Sequence, residues 1–225
     1  MEFKDVLNNM YKNELTSTDF QQKETRQLFE ESRVYSNLLN YSTIISNLSP
    51  VVYNKNGDKA FDFYPTTNSE RSYILYTYVD EEVYRKTNSM DMYAEDLKMK
   101  LAYMVDSTFA NFFKTKATAT STKGTTLDER LIALKDSFGT NSFVIVAGFK
   151  TYLDIMKEYR KDFPYQVLYS PKVENDGLYG FMTNRLYVAS TIGAVDQKKK
   201  VLTGQYIFAL NVMNLQVGCD EVYKA

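Results

Sequence analysis

The sequence predicts an α+β fold organised around one long helix. Three observations lead there. Tyr93, Leu97, Leu101, Met104, Val105, Phe109 and Phe112 recur every three or four positions with no glycine or proline between them, so one unbroken amphipathic helix is expected from about Asp91 to Thr115. Before it, VVY, FDF and RSYILYTYV are rich in aromatic and β-branched residues, as strands are. After it, helical and strand patterns alternate at short intervals from Leu127 to Tyr169.

The elements follow in chain order. Phe3, Val6, Leu7 and Met10 share a helical face, and Thr18 with Gln21 forms a capping box for a second helix reaching about Arg33. That second helix carries Lys23, Glu24, Arg26, Glu30, Glu31 and Arg33 but few apolar residues. It is expected on the surface, or as an arm that finds its contacts on a neighbour. Val51 to Phe63 reads as a hairpin turning at Asn56-Gly57, and Arg71 to Val79 as a long strand. Little apolar sequence nearby can cover these strands, which predicts an extended β arm. Asn88 or Ser89 caps the long helix, whose run of about 25 residues at ~1.5 Å each makes a rod of nearly 40 Å. Glu95, Lys98, Asp106 and Asn111 fall on its opposite face, expected to meet solvent or a contact.

Lys116 to Gly124 is small-residue and low in complexity, a flexible loop by composition. Thr126 and Glu129 make another capping box, and Gly139 suits the stop of the helix they open. Phe143 to Val146 reads as a buried strand, Phe149 to about Arg160 as a helix, and Tyr165 to Tyr169 and Leu186 to Ala189 as strands. Lys198-Lys199-Lys200 precedes a last stretch that is mainly strand to Tyr223.

Composition bounds the function. The chain has 225 residues, 44% hydrophobic and 24% charged, enough for one large or two small folded domains. A net charge of −1 leaves no global basic field for nucleic acid. No apolar run reaches the roughly 20 residues of a membrane span, and MEFKDVLNNMYKNE lacks a secretory pattern, so folding in a cytoplasm is expected. There is no histidine and a single cysteine, Cys219, which removes an intrachain disulfide, a thiolate zinc cluster and the commonest general base. The 19 tyrosines suit contact surfaces, although the same Tyr-, Asn- and Lys-rich composition follows from an AT-rich coding sequence.

The order of elements resembles the Hong Kong 97-type fold of tailed-phage major capsid proteins. In that family an arm precedes an extended β-hairpin loop, a long spine helix, a helix-strand-helix passage, and strands that finish the axial and peripheral domains. Met1 to Leu48, VVYNKNGDKAFDF with RSYILYTYV, the rod from Asp91 to Thr115, TTLDERLIALKDSFGTNSFVIVAGFKTYLDIMKEYR and NRLYVAS stand in those places. The resemblance implies an N-terminal helical arm over 1–48, an extended hairpin region over 49–89, a spine helix over 90–115 and an axial and peripheral body over 116–225. The chain is short for a major capsid protein and little follows Val201, so a short or minor member is the alternative within the family.

The function so implied is that of a structural virion protein. Copies would assemble as hexamers, pentamers or rings into an icosahedral shell, with other virion proteins as partners and no membrane. Such a protein is assembled in the host bacterial cytoplasm and needs no catalysis, cofactor or metal. The expected inter-subunit contacts are Tyr53, Lys55, Lys59, Phe61, Phe63 and Arg71, with the acidic group Asp80, Glu81 and Glu82. That acidic group also has the composition of a divalent-cation site, but an exposed turn accounts for it. Lys198 to Lys200 has the charge for weak, non-specific contact with packaged DNA, but a solvated turn accounts for it better. Another virion component, such as a tail, connector or auxiliary head protein, is the second reading. A small cytoplasmic α+β binding module or enzyme is the third, and an encapsulin-like nanocompartment shares the first fold.

Overall fold

A computed structural model describes residues 26–45, 51–53, 59–62, 72–80, 82, 91–121, 123–159, 162–202 and 205–225. The expected first helix, the Thr18–Gln21 cap, the Asn56-Gly57 turn and the Asn88 or Ser89 cap lie outside these residues.

The long helix, α3 in chain order, runs unbroken over Asp91–Lys116. Its buried stripe is Leu101, Val105, Phe109, Phe112 and Phe113, with Met104 partly buried beside it. Two sheets pack against this stripe. The first has the order β1-β9-β10-β4, from β1 (Ser42–Ile45), β4 (Ser72–Asp80), β9 (Leu186–Leu202) and β10 (Gln205–Cys219). The second has the order β5-β11-β8-β6-β7, from β5 (Thr118–Ala119), β6 (Phe143–Ala147), β7 (Gln166–Tyr169), β8 (Leu178–Met182) and β11 (Val222–Lys224). Strands β2 (Val51–Tyr53) and β3 (Lys59–Asp62) pair separately as a hairpin.

The second sheet is covered on both faces, and β6 shows why its sequence FVIVA is apolar throughout. Val144 and Val146 join the α3 core, whereas Phe143, Ile145 and Ala147 meet a second core under α4 (Leu127–Phe138) and α5 (Phe149–Glu158). Successive strand side chains point to opposite faces, so a strand between two helical layers has no polar side to show. Strand β8 repeats the pattern. Tyr179 and Phe181 stack on Phe113 of α3, while Leu178 lies in the α4–α5 core. Gly180 leaves room there: a Cβ at this position would stand 2.7 Å from Cε2 of Phe138.

Helix α4 starts as its capping box prescribes. The Thr126 hydroxyl accepts from Glu129 N at 3.3 Å, and the Glu129 carboxylate accepts from Thr126 N at 3.0 Å and Thr125 N at 2.7 Å. These backbone donors hold the Glu129 carboxyl down at about 2. Gly139, at φ 59°, ends the helix in a conformation that favours glycine.

The described part of the N-terminal segment, residues 26–45, packs on the rest of the chain. Helix α1, described over 26–32, is as polar as its sequence suggests, yet Phe29 is fully buried in the α3 core. After the 3-10 turn Arg33–Tyr35, helix α2 (Asn37–Asn40) adds Leu38 and Leu39 to that core. Arg33 secures the reversal, donating from Nη1 to Asn40 O at 2.8 Å and from Nη2 to Ser42 O at 3.0 Å. A few well-placed apolar residues thus suffice to dock a charged segment.

Four expectations are corrected. β4 is not part of a free arm: it pairs antiparallel with β10 from Ser72↔Met213 to Asp80↔Gln205. Its cover comes from more than 100 residues further along the chain, where local reading cannot see it. Lys198, Lys199 and Lys200 lie within β9, not in a turn, and Lys198 stands opposite Ile207. Thr118–Ala119, read as loop, forms edge strand β5 beside β11. Asp106, expected on the outer face of α3, is buried, with the Ser36 hydroxyl donating to its carboxylate and the Lys172 charge acting on it.

Candidate assembly surfaces

Cys219 is buried, burial pushes its thiol well up, and its Sγ–H donates to Glu221 O at 3.2 Å, so it is a packing residue. No three metal-ligating side chains converge among the described residues. A groove of about 370 Å3 between α4 and the connection from α5 to β7 is lined by Asp128, Leu131, Ile132, Lys135, Tyr159, Phe163 and Tyr165. A second hollow of about 310 Å3 lies beside Cys219, lined by Phe112, Lys116 and Asp220. No described helix is long and apolar enough to cross a membrane.

The surfaces are more informative. Val34, Tyr35, Met99 and Tyr103 are exposed apolar residues at 77%, 36%, 42% and 51%. They lie where the N-terminal segment meets the outer face of α3. The Tyr35 hydroxyl donates to the Glu95 carboxylate, and Lys98 pairs with Glu31 and Glu95, each at 2.9 Å. Lys172 sits 4.2 Å from the centre of the Tyr103 ring. This patch was not singled out in the sequence. Its only signal was Met99 and Tyr103, four apart and off the buried stripe. Ile132 and Phe149 are exposed on α4 and α5.

The sequence-derived contact residues are placed in part. Tyr53 stands opposite Lys59, and Phe61 opposite Val52, across the β2–β3 hairpin. Asp80 closes β4 and its Oδ1 accepts from Glu82 N at 2.9 Å, which gathers two acidic side chains at one exposed turn. Lys55, Phe63, Arg71 and Glu81 lie outside the described residues.

No protein-family model matches the sequence, and no curated protein matches it. Solved structures do. The subunit of a virus-like particle from Pyrococcus furiosus superposes with a TM-score of 0.57 at 10% identity, over 87% of this chain and 95% of that one. The satellite phage P4 procapsid gives 0.55 at 8% identity, over 89% and 98%. The SrpI encapsulin complex of Synechococcus elongatus gives 0.53 at 8% identity, over 85% and 88%. A long helix packed by two sheets, followed by a helix-strand-helix passage, is therefore a mixed α+β fold that this chain shares with these structures. It is the Hong Kong 97-type capsid fold, as the element order suggested.

Proposed function

We propose that this chain is a structural subunit that assembles with copies of itself into a closed shell, the capsid of a tailed phage. The observation that carries the reading is the coincidence of its whole architecture, over most of its length, with subunits of closed particles. The apolar surface at Val34, Tyr35, Met99 and Tyr103 supports it, because such patches on a folded subunit are ordinarily covered by partners.

In this reading 1–48 serves as arm, 49–89 as extended hairpin region, 90–115 as spine and 116–225 as axial and peripheral body. The hairpin carrying Tyr53, Lys55, Lys59, Phe61 and Phe63 lies on a neighbouring subunit. Arg71, Asp80, Glu81 and Glu82 complete charged contacts there. Subunits group as hexamers, pentamers or rings and meet other virion proteins. Lys198 to Lys200 touches packaged DNA weakly. The role is not enzymatic, and assembly takes place in the host bacterial cytoplasm. An encapsulin-like nanocompartment is the second reading, favoured by the SrpI similarity.

The test is expression of the full chain followed by size-exclusion chromatography and negative-stain microscopy. Closed shells or capsomer rings are expected. Tubes would favour another virion component, and a monomer at every concentration would overturn the reading. Nucleic acid inside shells from infected cells distinguishes a capsid from a compartment loaded with protein.

A further inference from the structure

Helix α2 is a single turn of four residues, too short to persist by itself. The amides of Leu39, Asn40 and Tyr41 donate to Ser36 Oγ, Ser36 O and Asn37 O. What holds the turn is its seat on α3. Leu38 and Leu39, with Phe29 of α1, supply the apolar part of that seat. Three polar contacts add to it at or near the surface: Tyr35 with Glu95, Glu31 with Lys98, and Asn37 Nδ2 donating to Tyr169 O at 3.5 Å. Contacts so placed compete with water and hold weakly. The bond from Ser36 to Asp106 is of another kind, because it is buried.

The groups that face Asp106 come from two elements. Ser36 belongs to the N-terminal segment, and its hydroxyl already accepts from Leu39 N. Lys172 belongs to the turn after β7, and its ammonium is shared with the Tyr103 ring, one turn before Asp106 on α3. Arg33 is engaged with Glu30, Asn40 O and Ser42 O, and Lys98 with Glu31 and Glu95. Among the described residues no charge from either sheet acts on Asp106. A carboxyl so enclosed is held more easily with its proton than without it. Burial outweighs Ser36 and Lys172 and pushes Asp106 up to about 6.

We infer that Asp106 is a proton-operated latch on residues 26–40. With its proton bound, the carboxyl keeps α1 and α2 seated on α3. When the proton passes to water, the buried charge left behind favours an opening in which both helices leave α3 and water reaches the carboxylate. β1, paired with β9, stays in its sheet. Asp106 binds its proton more tightly seated than opened, where its ordinary value is 3.8. The seat is therefore strongest below about 4 and weakens as pH rises to about 6. Opening should become about tenfold more frequent per pH unit across that window, roughly 100-fold in all, and then level off. Phe29, Leu38 and Leu39 oppose release at every pH, so the proton sets how often the segment opens. The latch lies within one subunit and does not rest on the shell reading.

Hydrogen exchange of the full chain tests it, read by mass spectrometry as protection relative to the unstructured rate at each pH. The amides of Leu39, Asn40 and Tyr41 should exchange through an opening that leaves β6 and β8 protected. Their protection should fall roughly 100-fold from pH 4 to pH 7. Asp106→Asn, neutral throughout, should abolish the fall. Lys172→Gln removes an exposed charge that favours the carboxylate, so it should widen the fall, and it serves where Asp106→Asn does not fold. Three results would each overturn the inference: exchange of 39–41 only together with β6 and β8, a fall retained in Asp106→Asn, or a fall in Lys172→Gln no larger than the parent's.

Discussion

The Ser36 hydroxyl donates a hydrogen bond to the buried Asp106 carboxylate, joining the N-terminal segment to the middle of α3. The same hydroxyl accepts from Leu39 N at 2.9 Å and caps α2. One small side chain therefore ties two elements that lie 70 residues apart in sequence. Burial pushes Asp106 up to about 6, against the opposing effects of the Ser36 bond and the nearby Lys172 charge.

The first prediction follows from that carboxyl. Its folded-state value lies above the ordinary 3.8, so the stability it contributes is full below that value and is lost as pH rises through about 6. Charging Asp106 costs the subunit roughly 3 kcal/mol between the two limits. Asp106→Asn should flatten the dependence of melting temperature on pH from 4 to 7.5 and raise melting at the upper end. A variant whose melting keeps the parental slope would show that another group controls it.

Leu101 is fully buried in the α3 core. Leu101→Ala should cost about 2–5 kcal/mol, and Leu101→Pro more, because it removes a backbone hydrogen bond and clashes with the preceding turn. Thermal melting of the unassembled subunit measures both. If Leu101→Ala melts like the parent and only assembly fails, the stripe faces another subunit instead.

Gly180 and Phe138 make a coupled pair. Gly180→Ala places a methyl against the Phe138 ring and against Cδ2 of Leu134, 3.4 Å away. Overpacking of this kind should cost about 1–3 kcal/mol. Phe138→Leu in the same chain should return part of that loss, so the two changes should be non-additive in a denaturant double-mutant cycle.

Deleting 54–58 shortens the β2–β3 hairpin, whose described strands contribute no residue to either core. The subunit should stay folded by circular dichroism and assemble poorly. Normal shells from this variant would remove the hairpin from the contact.

Salt separates charge from apolar burial in assembly. If Lys55, Lys59 and Arg71 meet Asp80, Glu81 and Glu82 across subunits, raising ionic strength from about 0.05 M to about 0.5 M should weaken assembly, followed by light scattering. Strengthening with salt would make apolar burial the main driver.

Much of the subunit was legible because it is locally encoded. The α3 stripe, the Thr126–Glu129 capping box, the Gly139 stop and the uniformly apolar β6 each rest on residues within a turn or a strand of one another. Their periodicity and caps suffice to specify them, and their order was enough to suggest the fold. β8 was missed although it lies at the centre of a sheet. Leu178-Tyr179-Gly180-Phe181 carries a glycine that weakens its strand signal, and that glycine makes sense only once Phe138 lies over it.

Tertiary structure alone decided which residues share an environment. Asp106 sits where helical periodicity places a solvated or contact residue, and it is buried with the Ser36 hydroxyl of the N-terminal segment bonded to its carboxylate. β4 looked uncovered because its partner β10 begins at Gln205, far beyond any local window. Phe29, Leu38 and Leu39 looked like isolated apolar residues in a polar arm until the core reached them. Local sequence determined what each segment of this chain could become, since propensity and capping act over a few residues. Which of those segments meet and which surfaces are covered depend on long-range burial, which acts between residues with no proximity in sequence.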